Sequence, residues 1–169
     1  MTQRHLIALA FLLGACGGPG DLSPDAVRSI PDGDGSGAAL TGEYSVEIRT
    51  IECRGSCGPF AVGIFSASVC DVGDVDTERV SVVHEGGHLR IDTSDLPSRF
   101  EGAAFQDHSF DVGGYATQFG GALEITARAL GTIDERGELD ATIRSWTGGE
   151  VEGENADCIG VREVTGARD

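Results

Sequence analysis

Between Glu78 and Trp146 the chain repeats one local pattern three times: two runs of alternating apolar and polar residues joined by a short corner of turn-forming residues. Strand side chains alternate faces, so such alternation predicts a sheet with one buried side, and a corner of two or three residues predicts an antiparallel hairpin. In the first hairpin Val80 and Val82 precede Gly86-Gly87, and Leu89 and Ile91 follow. A two-residue loop sets Glu85 against His88, His84 against Leu89 and Val82 against Ile91, which puts every apolar residue except Val83 on one face. Both glycines are expected at positive φ, where a Cβ would clash. In the third hairpin Leu123, Ile125, Ala127 and Ala129 alternate with polar residues, as do Leu139, Ala141 and Ile143. Its loop, Glu135-Arg136-Gly137, pairs Ile133 with Leu139 and Gly131 with Ala141 and leaves Gly137 at the left-handed position.

The second hairpin aligns with the third at an offset of 29 residues, with Arg99, Gly102, Phe110 and Asp111 falling on Arg128, Gly131, Leu139 and Asp140. A loop Gln106-Asp107-His108 then pairs Ala104 with Phe110 and Gly102 with Val112, and His108 takes the left-handed site, where His is enriched. Agreement of these registers gives an all-β fold: an antiparallel meander forming an up-and-down barrel, with a β-sandwich as the alternative.

Outside the hairpins, Thr41 to Cys53 reads as a first strand with Tyr44, Val46 and Ile48 on one face. Cys53 to Val75 is a longer segment holding a strand or a packed loop. Cys158 to Val164 reads as a closing strand, and Thr165 to Asp169 as a loose tail. Three regions follow: 1–15, an export signal; 16–40, a Gly-, Pro-, Ser- and Asp-rich flexible tether with at most one helical turn at Ser23 to Arg28; and 41–166, one β domain of about 125 residues, enough for a single core.

The start of the chain carries Arg4, a short apolar run from Leu6 to Leu13, and then Leu13-Gly14-Ala15-Cys16. The run is too short for a retained membrane helix. Small residues before a cysteine resemble the lipobox of bacterial lipoproteins. That resemblance implies cleavage before Cys16, lipidation of Cys16, and a place in the bacterial cell envelope; Gly17 rather than Asp after the cysteine implies the outer membrane.

The formal charge is −16, and removal of Arg4 with residues 1–15 takes it to −17. Nucleic acid is excluded as a partner, because phosphate binding needs clustered cations. All 12 basic residues are arginine; nothing in the chain explains this. Beyond Cys16 the cysteines are Cys53, Cys57, Cys70 and Cys158. An even number in an exported domain predicts two disulfides among three connectivities. The expected pairs are Cys53 with Cys158, tying the first strand to the last, and Cys57 with Cys70, closing the long segment.

Two motifs suggest metals. His84-Glu85-Gly86-Gly87-His88 matches the zinc-peptidase signature H-E-x-x-H, whose chemistry needs both histidines on one helix face. Its Gly-Gly centre disfavours a helix by about 1 kcal/mol per residue, and the hairpin register sends His84 inward and His88 outward. Asp32, Asp34, Ser36, Gly37 and Glu43 fit the spacing of a calcium-binding EF-hand loop. Pro31 and the strand opening at Glu43 leave no room for the flanking helices, so a solvated linker is expected. The acidic cluster Asp71, Asp74, Asp76 and Glu78 is likewise expected to be a solvated loop. No metal site and no cofactor is assigned. Glu101 and Asp111 face solvent by alternation, and no nucleophile–base pair is apparent.

Gly42-Glu43-Tyr44 opening the first strand, with Arg162 in the last, resembles the lipocalins. In that family a Gly-x-aromatic motif packs against a basic residue near the end of the barrel. The resemblance implies a closed barrel with a cavity. Small inward residues such as Ala104, Ala127, Ala129 and Ala141 permit either a filled interior or room for a ligand. Trp146 breaks the parity of its strand and is expected to cap an end or cover the outside. The expectation is therefore a lipid-anchored envelope lipoprotein, not an enzyme, whose β domain binds a small apolar ligand. The alternative is a module that recognises an envelope protein or a glycan; a zinc peptidase through His84 and His88 is disfavoured.

Overall fold

A computed structural model of the chain describes residues 20–62 and 65–169; residues 1–15, expected as an export signal, and Cys16 lie outside the described residues. The strands are β1 (Gly42–Ser56), β2 (Phe60–Val62), β3 (Phe65–Ala67), β4 (Val75–Glu85), β5 (His88–Asp92), β6 (Arg99–Ala104), β7 (Ser109–Gln118), β8 (Leu123–Ile133), β9 (Glu138–Val151) and β10 (Glu154–Arg168). β1 and β4 to β10 form a closed, eight-stranded antiparallel meander in which each strand pairs with the next and β10 closes on β1. The chain is all-β, and closure sets the sandwich aside. β2 and β3 pair as a separate hairpin within the β1–β4 connection.

All three expected registers are present. Val82 opposes Ile91, Ala104 opposes Phe110, and Ile133 opposes Leu139. His108 and Gly137 are left-handed, with φ of 65° and 85°. One detail differs: in the β4–β5 turn Gly86 has a φ of 63°, but Gly87 does not take a positive value. Gly87 is required for another reason, since a Cβ there would collide with the carbonyl of Gly33.

Alternation places Tyr44, Val46, Val80, Val82, Leu89, Val112, Ile133 and Val164 inside the barrel, each at most 6% exposed. Eight strands leave an interior just wide enough for such side chains to fill. The filled half lies toward the β4–β5, β6–β7 and β8–β9 turns. There Leu40 plugs the end, and the Tyr44 hydroxyl donates to the Leu40 carbonyl at 2.8 Å.

The segment expected as a flexible tether is, from Gly20 onward, a packed strap. A 3-10 turn (Gly20–Leu22) and a short helix α1 (Pro24–Arg28), capped by Ser23, lie on the outer faces of β7, β8 and β9. Leu22 and Val27 are 0% and 1% exposed, and the Thr126 hydroxyl donates to the Leu22 carbonyl at 2.6 Å. Arg144 pairs with Asp21 at 2.7 Å, and Arg28 lies 3.7 Å from the Tyr115 ring centroid. The chain then crosses β6 and the first turn, where Gly33 N–H donates to Gly87 and Gly35 N–H to Ala104. Two apolar anchors and a ladder of backbone bonds outweigh a composition that reads as linker.

The tail also differs from expectation. β10 continues to Arg168, opposite Tyr44, so that the first residues of β1 are paired on both edges, by β10 and by β4. Asp169 is held by Arg79 at 2.9 Å and by the Ser45 hydroxyl at 2.6 Å.

The disulfides are Cys53–Cys70 and Cys57–Cys158, not the expected pairs. Register gives the reason. Cys53 opposes Gly160 and Gly55 opposes Cys158, so Cys158 sits beside the continuation of β1 that reaches Cys57. The chain returning from β3 brings Cys70 to Cys53, over the space left by the missing side chain of Gly160.

Candidate functional site: the open half of the barrel

The inward positions of three strands change character along their length. On β4, His84, Val82 and Val80 give way to Glu78 and Asp76; on β10, Val164 gives way to Arg162; on β9, Leu139, Ala141 and Ile143 give way to Ser145 and Thr147. The apolar halves interlock and the polar halves do not. They line, with Ile48, Phe100, Ile125 and Ala127, a cavity of about 430 Å³ that opens at the end opposite Leu40. The β5–β6 loop, residues 93–98, and Val69 from the β3–β4 segment overhang its mouth.

Charge in this cavity is unevenly held. The Glu78 carboxylate accepts from Ser94, at 3.2 Å from the backbone N–H and 2.7 Å from the hydroxyl, which pins the mouth loop to the wall. The base of the loop is clamped by Asp92, which accepts from Arg99 Nε at 2.8 Å and Arg90 Nε at 3.0 Å. The Arg99 hydrogen bond, aided by the charges of Arg99 and Arg90, holds the Asp92 carboxyl below its ordinary range. Arg162 is half-buried in the cavity wall and, among the described residues, its guanidinium has no hydrogen-bond or ion-pair partner. An arginine in a cavity wall presents a planar set of N–H donors suited to a carboxylate or phosphate.

The sequence motifs do not converge here. His84 is 3% exposed inside the plugged end; its Nδ1 accepts from the Leu40 N–H at 3.4 Å and its Nε2 donates to the Gly86 carbonyl at 2.6 Å. His88 is on the opposite face of the same hairpin, 2.9 Å from Asp32. The two rings cannot share an ion, and Glu85 is exposed. The calcium pattern is likewise dispersed: Asp32 faces His88, Asp34 accepts from the Gln106 N–H at 3.2 Å, and Glu43 is an exposed β1 residue. Among the described residues, Cys57, Cys70 and Cys158 bring three sulfurs within 4.8 Å of one another, but all are in disulfides and offer no thiolate.

Half of the acidic cluster expected as a solvated loop, Asp76 and Glu78, belongs instead to the cavity wall. Asp111 faces outward and takes a bidentate pair from Arg128 at 2.8 and 2.5 Å, while Glu101 is exposed. Trp146 lies outside, with its indole N–H donated to Asp157 at 2.9 Å. The basic residue expected against Tyr44 is Arg168 rather than Arg162. Arg168 donates to the Tyr44 hydroxyl from Nε at 3.1 Å and Nη2 at 2.8 Å, and lies 5.4 Å from the ring centroid. Register decides this, because Tyr44 opposes Arg168 while Arg162 opposes Thr50, six residues further along β1.

Fold and site together define a lipocalin-like up-and-down barrel, plugged at one end and open at the other. No protein-family model matches the chain, and no curated protein or solved structure matches it.

Proposed function

We propose that this chain is a lipoprotein of the bacterial envelope, anchored in the outer membrane through Cys16, whose barrel is non-catalytic and binds a small molecule in its open half. The observation that carries the reading is the cavity of about 430 Å³ with Arg162, unpaired among the described residues, in its wall. Its volume falls within the range of ligand pockets, about 300–1,000 Å³. The lining moves the expected ligand from purely apolar to amphiphilic. Ile48, Phe100, Ile125 and Ala127 would hold an apolar body, and Arg162 an anionic end such as a carboxylate or phosphate. Asp76, facing the same space, favours a cationic group elsewhere on the molecule. Catalysis has little support, since both ring nitrogens of the buried His84 are already engaged and the Ser94 hydroxyl beside Glu78 is spent on pinning the mouth loop to the wall.

Native mass spectrometry of the full chain tests for a co-purifying small molecule, and titration with a fluorescent fatty acid tests the site directly. Saturable one-to-one binding is expected. Arg162→Leu is expected to weaken it roughly 10- to 100-fold, the worth of a charge-assisted hydrogen bond of about 1.5–3 kcal/mol. Absence of saturable binding, or affinity indifferent to Arg162, would refute the assignment.

A further inference from the structure

We propose that the ligand is a single-chain amphiphile whose tail leaves the main cavity and ends in a second, apolar compartment beneath Phe60 and Val69. The proposal rests on the binding reading above and deepens it, by fixing the class of ligand and the residues that measure its length.

The compartment is a product of strand length. At the open end β7 stops at Gln118 and β8 starts at Leu123, but β9 and β10 run on as a hairpin to Val151 and Glu154. Side chains alternate, so the inward faces of these strands run on with them. Leu123, Gly149 and Ala156 stand side by side across β8, β9 and β10, and the middle of that row carries no side chain. Phe60, from the connection between β1 and β4, packs on these last inward positions. With Leu123, Val151 and Ala156 it forms a second buried apolar cluster, and Val69 packs against it. The cluster does not fill its own middle: about 80 Å³ remains, bounded on one side by Phe119.

Three observations tie this space to the ligand. It adjoins the main cavity, because Val69 and Gln118 line both, and Gln118 stands opposite Leu123 at the last pair of β7 and β8. Its cover is pinned at both roots, by Cys57–Cys158 before Phe60 and by Cys53–Cys70 after Val69. Well-packed interiors hold few voids larger than a water molecule, and here the cover is tied in place above one. Phe119 is held at a φ of 51° and is 54% exposed. A bulky residue in the left-handed region is a strained outlier, and such strain gathers at ligand clamps.

The lining sets the chemistry. Apart from Gln118 and Glu154 the walls are hydrocarbon, and an apolar cavity stays dry and takes apolar guests. Arg162 lies six residues from Ala156 on β10, about 20 Å along the strand. A molecule with its anionic end at Arg162 and its other end beside Ala156 is long, flexible and single-chained, as a long-chain fatty acid is. A second acyl chain has no place in 80 Å³.

The test measures displacement of a fluorescent fatty acid from the full chain by octanoate, dodecanoate and hexadecanoate. Octanoate ends within the main cavity, whereas the longer chains enter the second compartment, where burial of two further methylenes is worth about tenfold in affinity. The parent is expected to prefer hexadecanoate to octanoate by at least that factor. Ala156→Phe fills the compartment and is expected to remove the preference, hexadecanoate falling to the affinity of octanoate. Phe119→Gly, at an exposed position whose φ glycine adopts freely, is expected to narrow the preference about fivefold and keeps the test open if circular dichroism shows Ala156→Phe unfolded. Arg162→Leu should lower all three lengths alike. A preference for hexadecanoate that survives both Phe119→Gly and a folded Ala156→Phe overturns the compartment and leaves the binding reading standing. A parent that binds none of the three acids sinks the binding reading, and this proposal with it.

Discussion

Replacing Tyr44 by phenylalanine removes one oxygen from the plugged end of the barrel and leaves the ring in place. That oxygen donates to Leu40 at 2.8 Å and accepts from Arg168 at 3.1 and 2.8 Å, with Tyr44 0% and Leu40 2% exposed. The Leu40 carbonyl loses the hydroxyl in a place water does not reach, at a cost of about 1–3 kcal/mol. Arg168 lies on the solvent side and keeps the Ala39 carbonyl at 2.7 Å, so its half of the loss adds little. The expected destabilisation is about 2 kcal/mol, or roughly 4–8 °C in a domain of this size. Urea unfolding followed by the emission of Trp146 measures it. Arg168→Met removes the same two bonds from the other side and is expected to cost about 1 kcal/mol, and the double variant should lose less than the sum by roughly 0.5–1 kcal/mol. Arg162→Met, on the same strand but in the cavity, is expected to stay within about 0.5 kcal/mol of the parent. A Tyr44→Phe cost below about 0.5 kcal/mol, additive losses, or an Arg162→Met cost equal to that of Arg168→Met would refute the reasoning.

Three further outcomes are expected. Opening the Cys57–Cys158 bridge with paired serine substitutions releases a loop spanning 101 residues and should cost about 4–5 kcal/mol, against about 3 kcal/mol for the 17-residue span of Cys53–Cys70; peptide mapping without reduction reads the pairing directly, and recovery of a Cys53–Cys158 fragment contradicts it. Gly87→Ala pushes the strap off its Gly33 contact and should cost about 1–3 kcal/mol while accelerating proteolysis between residues 30 and 37; unchanged cleavage would count against a packed strap. Asp92, held below its ordinary value of 3.8 mainly by the Arg99 hydrogen bond, has a folded pKa lower than its unfolded one, so its contribution is present above about pH 4 and lost as pH falls through the folded value. The difference in urea midpoint between the parent and Asp92→Asn should therefore shrink on acidification, and a pH-independent difference would rule out this linkage.

The hairpins were readable because their information is local. Period-two alternation, the Gly86 corner and the left-handed His108 and Gly137 sit within a few residues of one another and leave one register that buries a continuous face. The inward and outward fates of His84 and His88 followed from the same register, and so did the exclusion of a shared metal. The cavity left a fainter trace, in which inward positions keep their parity but turn polar at Glu78, Ser145 and Arg162. Polar residues at inward positions ordinarily read as the end of a strand, so this signal becomes a site only once the strands are known to continue past it.

What the chain determined by itself was therefore each ribbon and its buried side, since a strand's pleat and a tight turn are settled by neighbouring residues. Only the tertiary structure decided which cysteines meet, that Arg168 rather than Arg162 covers Tyr44, and that Gly20 to Leu40 lies docked on the wall. Each of these depends on where β10 closes against β1, or on what the outer wall offers a passing segment. A closure between segments more than a hundred residues apart is set by the stagger of the whole barrel, and no short window of sequence carries it.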